Sequence, residues 1–205
     1  MTFLEEYDQH YAPRLGIRAD GFKKMFELLS VMHKPMIVET GCARMKDNWE
    51  GDGQSSYLFS RFAALNDGSS FISIEIDRGN INTAMEIVAG NKAKFVHGDS
   101  VDILRGMASD GCVMEGFPDP SRPIDLLYLD SYDFDVSNPM PAATHHLFEL
   151  CSAMPLLARG SIICVDDNFS DDGKLIGKGM LVAGYMSKIG ITPVHVGYQI
   201  IWVLE

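Results

Sequence analysis

The chain lacks several features that would assign a protein to a class at once. It has only four cysteines, at positions 42, 112, 151 and 164, and no Cys-x-x-Cys pair. Reduced thiols therefore fit the sequence better than a disulfide framework or a zinc site. No apolar stretch approaches the roughly 18 residues of a membrane span. The first glycine-bearing loop lacks a Gly-x-Gly-x-x-Gly motif, which disfavours a nicotinamide-dependent dehydrogenase.

Positive charge is also scarce. Lys and Arg number 17 against 28 Asp and Glu, a formal net charge of −11. Nucleic-acid backbones and anionic membranes reward a basic surface, so we expect neither as a partner. The acidic N-terminus lacks the basic flank and apolar segment of a signal peptide, and we expect a cytoplasmic protein. The oligomeric state stays open, with a homodimer as one option.

The sequence does contain a regular alternation of apolar strands and helices. Continuous apolar runs are typical of strands covered on both faces of a parallel sheet, and they lie at 36–39, 71–76, 94–97, 124–130 and 161–166. Between and around them, helical spacing predicts helices at 3–11, 20–33, 54–65, 79–89, 142–157 and 177–189, with a short one ending near 107. The tail, 191–204, has strand character, and Gly197 predicts a tight hairpin there.

This order predicts an α/β fold of the Rossmann-like, doubly wound type. We expect a mostly parallel seven-stranded sheet with a C-terminal antiparallel hairpin and an N-terminal helical extension. The length favours a single domain over 1–205, with 1–33 as a helical cover and 34–205 as the core.

Two predicted strands end on acidic residues. The run 124–130 closes on Asp130, and the run 161–166 is followed by a second acid, so that Asp166 and Asp167 stand together. Ligands of parallel sheets bind beyond the carboxyl ends of the strands. Three carboxylates at that edge need protons or a cation between them, and a magnesium ion is the simplest candidate. The alternative is that Asp130 borders a bound cofactor while Asp166 and Asp167 form an exposed loop pair.

A glycine loop follows the first strand, in the segment Val38–Ala43, and Glu75 lies near the end of the second strand. Together these resemble the motifs of class I S-adenosylmethionine-dependent methyltransferases. The resemblance implies that Glu39 meets the cofactor's ammonium, that Gly41 and Cys42 approach it by their backbone, and that Glu75 accepts hydrogen bonds from the ribose. Asp77 is a substitute for Glu75 or only a helix N-cap.

The third strand is followed by Gly98, Asp99 and Ser100. In the same fold, Asp99 or Ser100 would contact the adenine edge; the alternative for Ser100 is to cap the next helix. The chain is most similar to the magnesium-dependent O-methyltransferases, the catechol and macrocin-type sugar enzymes. That likeness implies metal ligands at Asp130, Asp166 and Asp167, with Asp130 also beside the cofactor.

Two departures from that family matter. The glycine loop is stretched over Arg44–Gly53, and the usual Gly-x-Ser returns only at Gly53, with Ser56 as a further cofactor contact. The lysine base of the catechol enzymes is replaced by Asp133. We therefore take Asp133 first and His145 second as candidates for the general base, because histidine titrates in the right range.

The sequence predicts a magnesium- and S-adenosylmethionine-dependent O-methyltransferase acting on a small hydroxylated acceptor, such as a sugar, a polyketide or a catechol. A metal-independent N- or O-methyltransferase and a non-catalytic binding protein are the alternatives. Acceptor specificity is expected in the loops 43–53, 109–123 and 131–141.

Two further side chains have open roles in this prediction. Trp49 is expected to cover a ligand or to pack on a neighbour. Lys178, between two glycines and close to Lys174, is predicted to be a solvated helix start rather than a lid or an anion contact.

Overall fold

The computed structural model describes residues 1–109 and 122–205. Its strands, in chain order, are β1 Met36–Thr40, β2 Ser70–Glu75, β3 Lys94–His97, β4 Ile124–Leu129, β5 Leu157–Val165, β6 Asn168–Asp171, β7 Lys174–Gly177, β8 His195–Val196 and β9 Ile200–Val203. Seven of them form one sheet in the order β3-β2-β1-β4-β5-β9-β8. The first five pair in parallel, and β9 runs antiparallel to both β5 and β8. The predicted fold class, including the C-terminal hairpin, is confirmed.

The α-helices are α1 Phe3–Glu6, α2 Ala19–Ser30, α3 Trp49–Asp52, α4 Ser55–Leu65, α5 Arg78–Ile87, α6 Ser100–Ala108, α7 Met140–Ala153 and α8 Met180–Lys188. Neighbouring strand residues feed two separate cores, since Ile37 packs with α2 and α4 whereas Val38 packs with α7 and α8. This alternation places helices on both faces of the sheet. No helix of the described ranges is both long and apolar enough to cross a membrane.

Two expected loops contain regular structure instead. A short hairpin of β6 and β7 replaces the loop predicted after β5. The stretched glycine loop contains α3, one helical turn that is followed by Gly53 as its C-cap. The predicted loop 109–123 lies almost entirely outside the described residues.

The N-terminal segment is built into the main core. Buried aromatic rings from the first 26 residues pack against rings of α4 and the sheet. The N-terminal rings are Phe3, Tyr7, Phe22 and Phe26, and their partners are Phe59 and Phe62 of α4 and Tyr128 of β4. Phe26 lies 4.5 Å from Phe3 and 5.5 Å from Phe62 between ring centroids. The N-terminal cover and this face of the sheet therefore form one hydrophobic core, because their rings pack in a single cluster.

We expect Phe26→Ala to lower the free energy of unfolding by about 3–5 kcal/mol, the usual cost of emptying a buried aromatic site. Val31→Ala, at a residue that is 84% exposed just after α2, should cost less than about 0.5 kcal/mol. Urea unfolding of both variants measures the difference. Similar small losses in the two would mean that the cover is only loosely attached.

Candidate functional site

The turn after β1 can be made only by a glycine. Gly41 has a φ of +78°, and a Cβ there would lie 2.6 Å from the carbonyl oxygen of Asp130 and 2.7 Å from Cα of Ser131. Its N–H donates to the carbonyl of Ile74 at 2.9 Å, which ties the turn to β2. The ends of β1, β2 and β4 therefore meet closely enough to exclude any side chain from this position.

Two adjoining cavities, of about 230 and 170 Å³, lie along this edge of the sheet. They share four lining residues, Gly41, Glu75, Ile76 and Ser131. Together they reach the size of a small-molecule site. The position, beyond the carboxyl ends of parallel strands, is where ligands bind in doubly wound folds.

Glu75 stands at the junction of the two cavities. Its Oε2 accepts the N–H of Cys42 at 3.2 Å, and its Oε1 accepts the N–H of Asp77 at 2.8 Å. These bonds fix the carboxylate while both oxygens keep further lone pairs for a ligand. Asp77 instead caps α5, by accepting the N–H groups of Gly79 and Asn80, as its alternative role predicted.

Glu39 is fully buried behind the glycine loop and does not line either cavity. Its Oε2 accepts the hydroxyls of Ser56 at 2.7 Å and Ser73 at 2.6 Å, while Oε1 has no hydrogen-bond partner among the described residues. Burial raises the pKa of Glu39 to about 7, although the serine hydrogen bonds oppose the shift. Ser56 also accepts the N–H of Ala43, so the pair holds the loop in place.

The first cavity ends on Gly98, Asp99, Ser100, Tyr132 and His145. Asp99 caps α6 by accepting the N–H groups of Val101 and Asp102, so the alternative role of Ser100, as the helix cap, is wrong. The Ser100 hydroxyl turns inward instead, because Oε1 of the buried Glu149 accepts it at 2.5 Å.

His145 belongs to the same buried cluster. Its Nε2 lies 3.1 Å from the Ser100 hydroxyl and 3.4 Å from Glu149. Hydrogen bonding to Glu149 raises the pKa of His145 although partial burial opposes it. Burial alone would raise the pKa of Glu149, but hydrogen bonds from His145 and Ser100 hold it at about 2. His145 therefore lies in the wall of the first cavity, away from the acids that follow β5.

The three predicted acids do converge, but two cations of the chain lie among them. Lys178 Nζ is paired with Oδ1 of Asp130 and lies 2.8 Å from Oδ2 of Asp167. Arg18, from the N-terminal cover, donates to Asp166 at 2.9 Å and to Asp167 at 3.2 Å. The prediction that Lys178 is a solvated helix start is wrong, since its side chain is only 3% exposed.

This arrangement does not fit a divalent metal ion. Residues 1–109 and 122–205 contain no group of three His, Cys, Asp or Glu side chains placed to hold one. The chemical reason is that Lys178 and Arg18 already take an oxygen of each of the three acids. Within the part of the chain that the structure describes, one oxygen of the cluster, Oδ1 of Asp166, is buried and has no hydrogen-bond partner. An ammonium group, that of Lys178, thus lies between two of the acids that were expected to bind magnesium.

The remaining candidates lie at the rim. Asp133 is 78% exposed, lines the second cavity and pairs with Arg44 at 2.8 Å. Trp49 packs on the N-terminal cover, stacked on Tyr11 at 5.4 Å with Arg14 over its face at 4.3 Å. Through these contacts with Tyr11 and Arg14, Trp49 attaches the stretched loop to the N-terminal cover.

Sequence reasoning missed four contributors: Arg18, Glu149, Tyr198 and the buried role of Lys178. Tyr198 donates its hydroxyl to Asp167 and receives Arg18 over its ring at 4.5 Å. Only Lys178 carried a local signal, the glycines on both of its sides, which indicate close backbone approach.

Known structures share this fold. CalS11, a TDP-rhamnose 3'-O-methyltransferase of calicheamicin biosynthesis, matches 97% of this chain and 86% of its own at a TM-score of 0.54 and 15% identity. The MycE methyltransferase of mycinamycin biosynthesis, solved with Mg and SAH, matches 98% of this chain and 54% of its own, at a TM-score of 0.61 and 12% identity. LepI in complex with SAM matches 89% of this chain and 46% of its own, at a TM-score of 0.52 and 11% identity. No protein-family model and no curated protein sequence matches the chain. At these identities the likeness shows the fold alone, a fold that the CalS11 and MycE methyltransferases share.

We expect Gly41→Ala to destabilise the protein by about 2–4 kcal/mol, because it adds a steric clash to an unfavourable φ. Gly90→Ala is the matched control. Gly90 has a similar φ of +88°, but a Cβ there would meet nothing within 4 Å, so it should cost only about 1 kcal/mol. Urea unfolding gives both values. Equal costs would show that the turn can open to accept a side chain.

Glu39→Gln should stabilise the protein at high pH. Because the folded-state pKa of Glu39 is raised from 4.5 to about 7, its contribution is fully present below 4.5 and is lost as pH rises through about 7. The amide avoids that loss, so the variant should gain about 2 kcal/mol at pH 8 and nearly nothing at pH 4.5. Urea unfolding at the two pH values tests this, with Glu27→Gln as the exposed control. A gain that does not depend on pH would contradict it.

Proposed function

We propose that the chain is an S-adenosylmethionine-dependent methyltransferase that methylates a hydroxyl group of a small molecule. The observation that carries the proposal is the continuous cavity edge formed by Gly41, Glu75 and Asp99 in a fold shared with methyltransferases. CalS11 is described as an enzyme acting on TDP-rhamnose, which supports a sugar-like acceptor.

The charge of the acid cluster supports binding of a cationic cofactor. Among residues 1–109 and 122–205, Asp130, Asp166 and Asp167 pair with two cations, Lys178 and Arg18, so the acids outnumber their cations by one. Asp130 brings this acid cluster to the second cavity, which it lines beside Ser131. A bound S-adenosylmethionine supplies a methyl group on a positive sulfonium, and nearby negative charge favours it over the neutral product.

Asp130 is also our choice for the group that receives the acceptor's proton. Burial and the charges of Asp166 and Asp167 raise the pKa of Asp130, although the Lys178 ammonium opposes them. A carboxylate with a raised pKa is the better base. Asp133, paired with Arg44 in solvent, and His145, bound to Ser100 and Glu149, are less suited to that task. The site otherwise works by aligning the acceptor and excluding water.

Aromatic rings beside the acids support an acceptor with a flat or apolar ring face. Phe134 stacks on Phe169 at 5.5 Å, and Phe169 meets Tyr198 edge-on at 5.2 Å. This row of rings lies outside the linings of the two cavities and leads to Asp167 through the Tyr198 hydroxyl. Rings of this kind pack against the faces of sugars, polyketides and catechols.

The same features bear on partners and place of action. An acidic chain with net charge −11 favours a small acceptor over a nucleic acid. The free thiols of Cys42, Cys151 and Cys164 suit a reducing cytoplasm. Magnesium is left out of the proposed reaction because Lys178 takes the place of the ion expected from the sequence.

Calorimetric titration with S-adenosylmethionine and S-adenosylhomocysteine tests the proposal, and we expect saturable binding of both. Glu75→Gln should weaken binding at least tenfold, because hydrogen bonds to a carboxylate contribute about 1.5–3 kcal/mol each. The control is Glu86→Gln on the exposed face of α5, which should bind as wild type does. Failure of the folded wild-type chain to bind either compound would refute the proposal.

A further inference from the structure

The acids at the ends of β4 and β5 receive a cation from the chain itself. Lys178 Nζ donates to the carboxylates of Asp130 and Asp167, and it lies 3.4 Å from the carbonyl oxygen of Asp130. An ammonium group has three donors and no acceptor. Each donor therefore has an oxygen partner, and the buried charge is compensated where it lies.

The backbone holds Lys178 in this position from both sides. Its N–H donates to the carbonyl of Asp167 at 3.2 Å, and the N–H of Gly179 donates to Oδ1 of Asn168 at 2.8 Å. A Cβ on Gly177 would collide with the Asp167 carbonyl, and one on Gly179 would lie 2.5 Å from the Asn168 side chain. These contacts fix the backbone of Lys178 close to the acids with which its side chain pairs.

Asp167 is shaped to accept two cations at once. It has a φ of +54°, an uncommon conformation for a residue other than glycine. Its Oδ1 receives Arg18 and the Tyr198 hydroxyl, while its Oδ2 receives Lys178. Magnesium needs several oxygens at about 2.0–2.1 Å in an octahedron. Both oxygens of Asp167 already have partners. A magnesium ion bound to Oδ2 would also lie beside the positive Lys178 ammonium group, and the two charges would repel each other.

We propose that Lys178 is the resident cation of this site, and that it positions Asp130 and Asp167 in place of a divalent metal ion. Lys178 is then a positioning residue, since it holds Asp130 against the wall of the second cavity. The inference concerns the cation affinity of the free chain and does not rest on the proposed function. Cofactor binding and metal binding can therefore fail independently.

Manganese alone is the probe, with binding followed by electron paramagnetic resonance in the absence of cofactor. We expect the wild-type chain to show no saturable Mn²⁺ binding in the millimolar range. Lys178→Met removes the charge and keeps an unbranched side chain, which leaves three acids with Arg18 as their one cation. We expect it to bind Mn²⁺ at least tenfold more tightly than wild type, and Asp167→Asn in that background should abolish the gain.

The control is Lys174→Met, at an exposed lysine of the same hairpin, which should behave as wild type. Circular dichroism establishes which variants fold. If Lys178→Met does not fold, the wild-type titration still tests the inference, because tight Mn²⁺ binding by the wild-type chain contradicts it. Tight Mn²⁺ binding by wild type that Asp167→Asn removes would overturn the inference. So would a folded Lys178→Met that binds Mn²⁺ no better than wild type.

Discussion

The pairing of three carboxylates with two cations, in one buried volume, is the constraint on which the rest of the structure depends. Arg18 comes from the N-terminal cover, Asp130 from the end of β4, Asp166 and Asp167 from the end of β5, and Lys178 from the segment after β7. Removing one partner from a buried ion pair leaves an uncompensated charge, which is strongly destabilising. The cover, the sheet edge and the small hairpin must therefore form together.

The same constraint separates the two halves of the cavity by charge. On the Lys178 side, the acid cluster reaches the wall of the second cavity at Asp130. On the far side, Glu149 is buried among Ser100, Ser131 and His145, and hydrogen bonds hold its charge away from the cavity. A cationic ligand group is thus favoured at one end, and a neutral ring with polar edges fits the other. This asymmetry agrees with the shape of the proposed cofactor.

Much of the fold could be predicted because its signals are local. Continuous apolar runs gave the parallel strands, and the acids at the ends of β2, β4 and β5 lie where the topology requires them. The hairpin of β6 and β7 also had a signal that we overlooked, since Asp172 and Gly173 form an Asp-Gly turn with both φ values positive. Arg18 had none, because it meets Asp166 across 148 residues of chain.

The identity of the cation is the clearest case of information that a motif does not contain. Acids after two neighbouring strands predict that positive charge must lie between them, and that prediction agrees with the structure. Whether the charge is a metal or an ammonium depends on a residue outside the motif, here Lys178, brought back by a hairpin that the acids do not encode. A ligand set carried over from a family therefore needs its surroundings examined, since one lysine nearby changes the chemistry while every acid is kept.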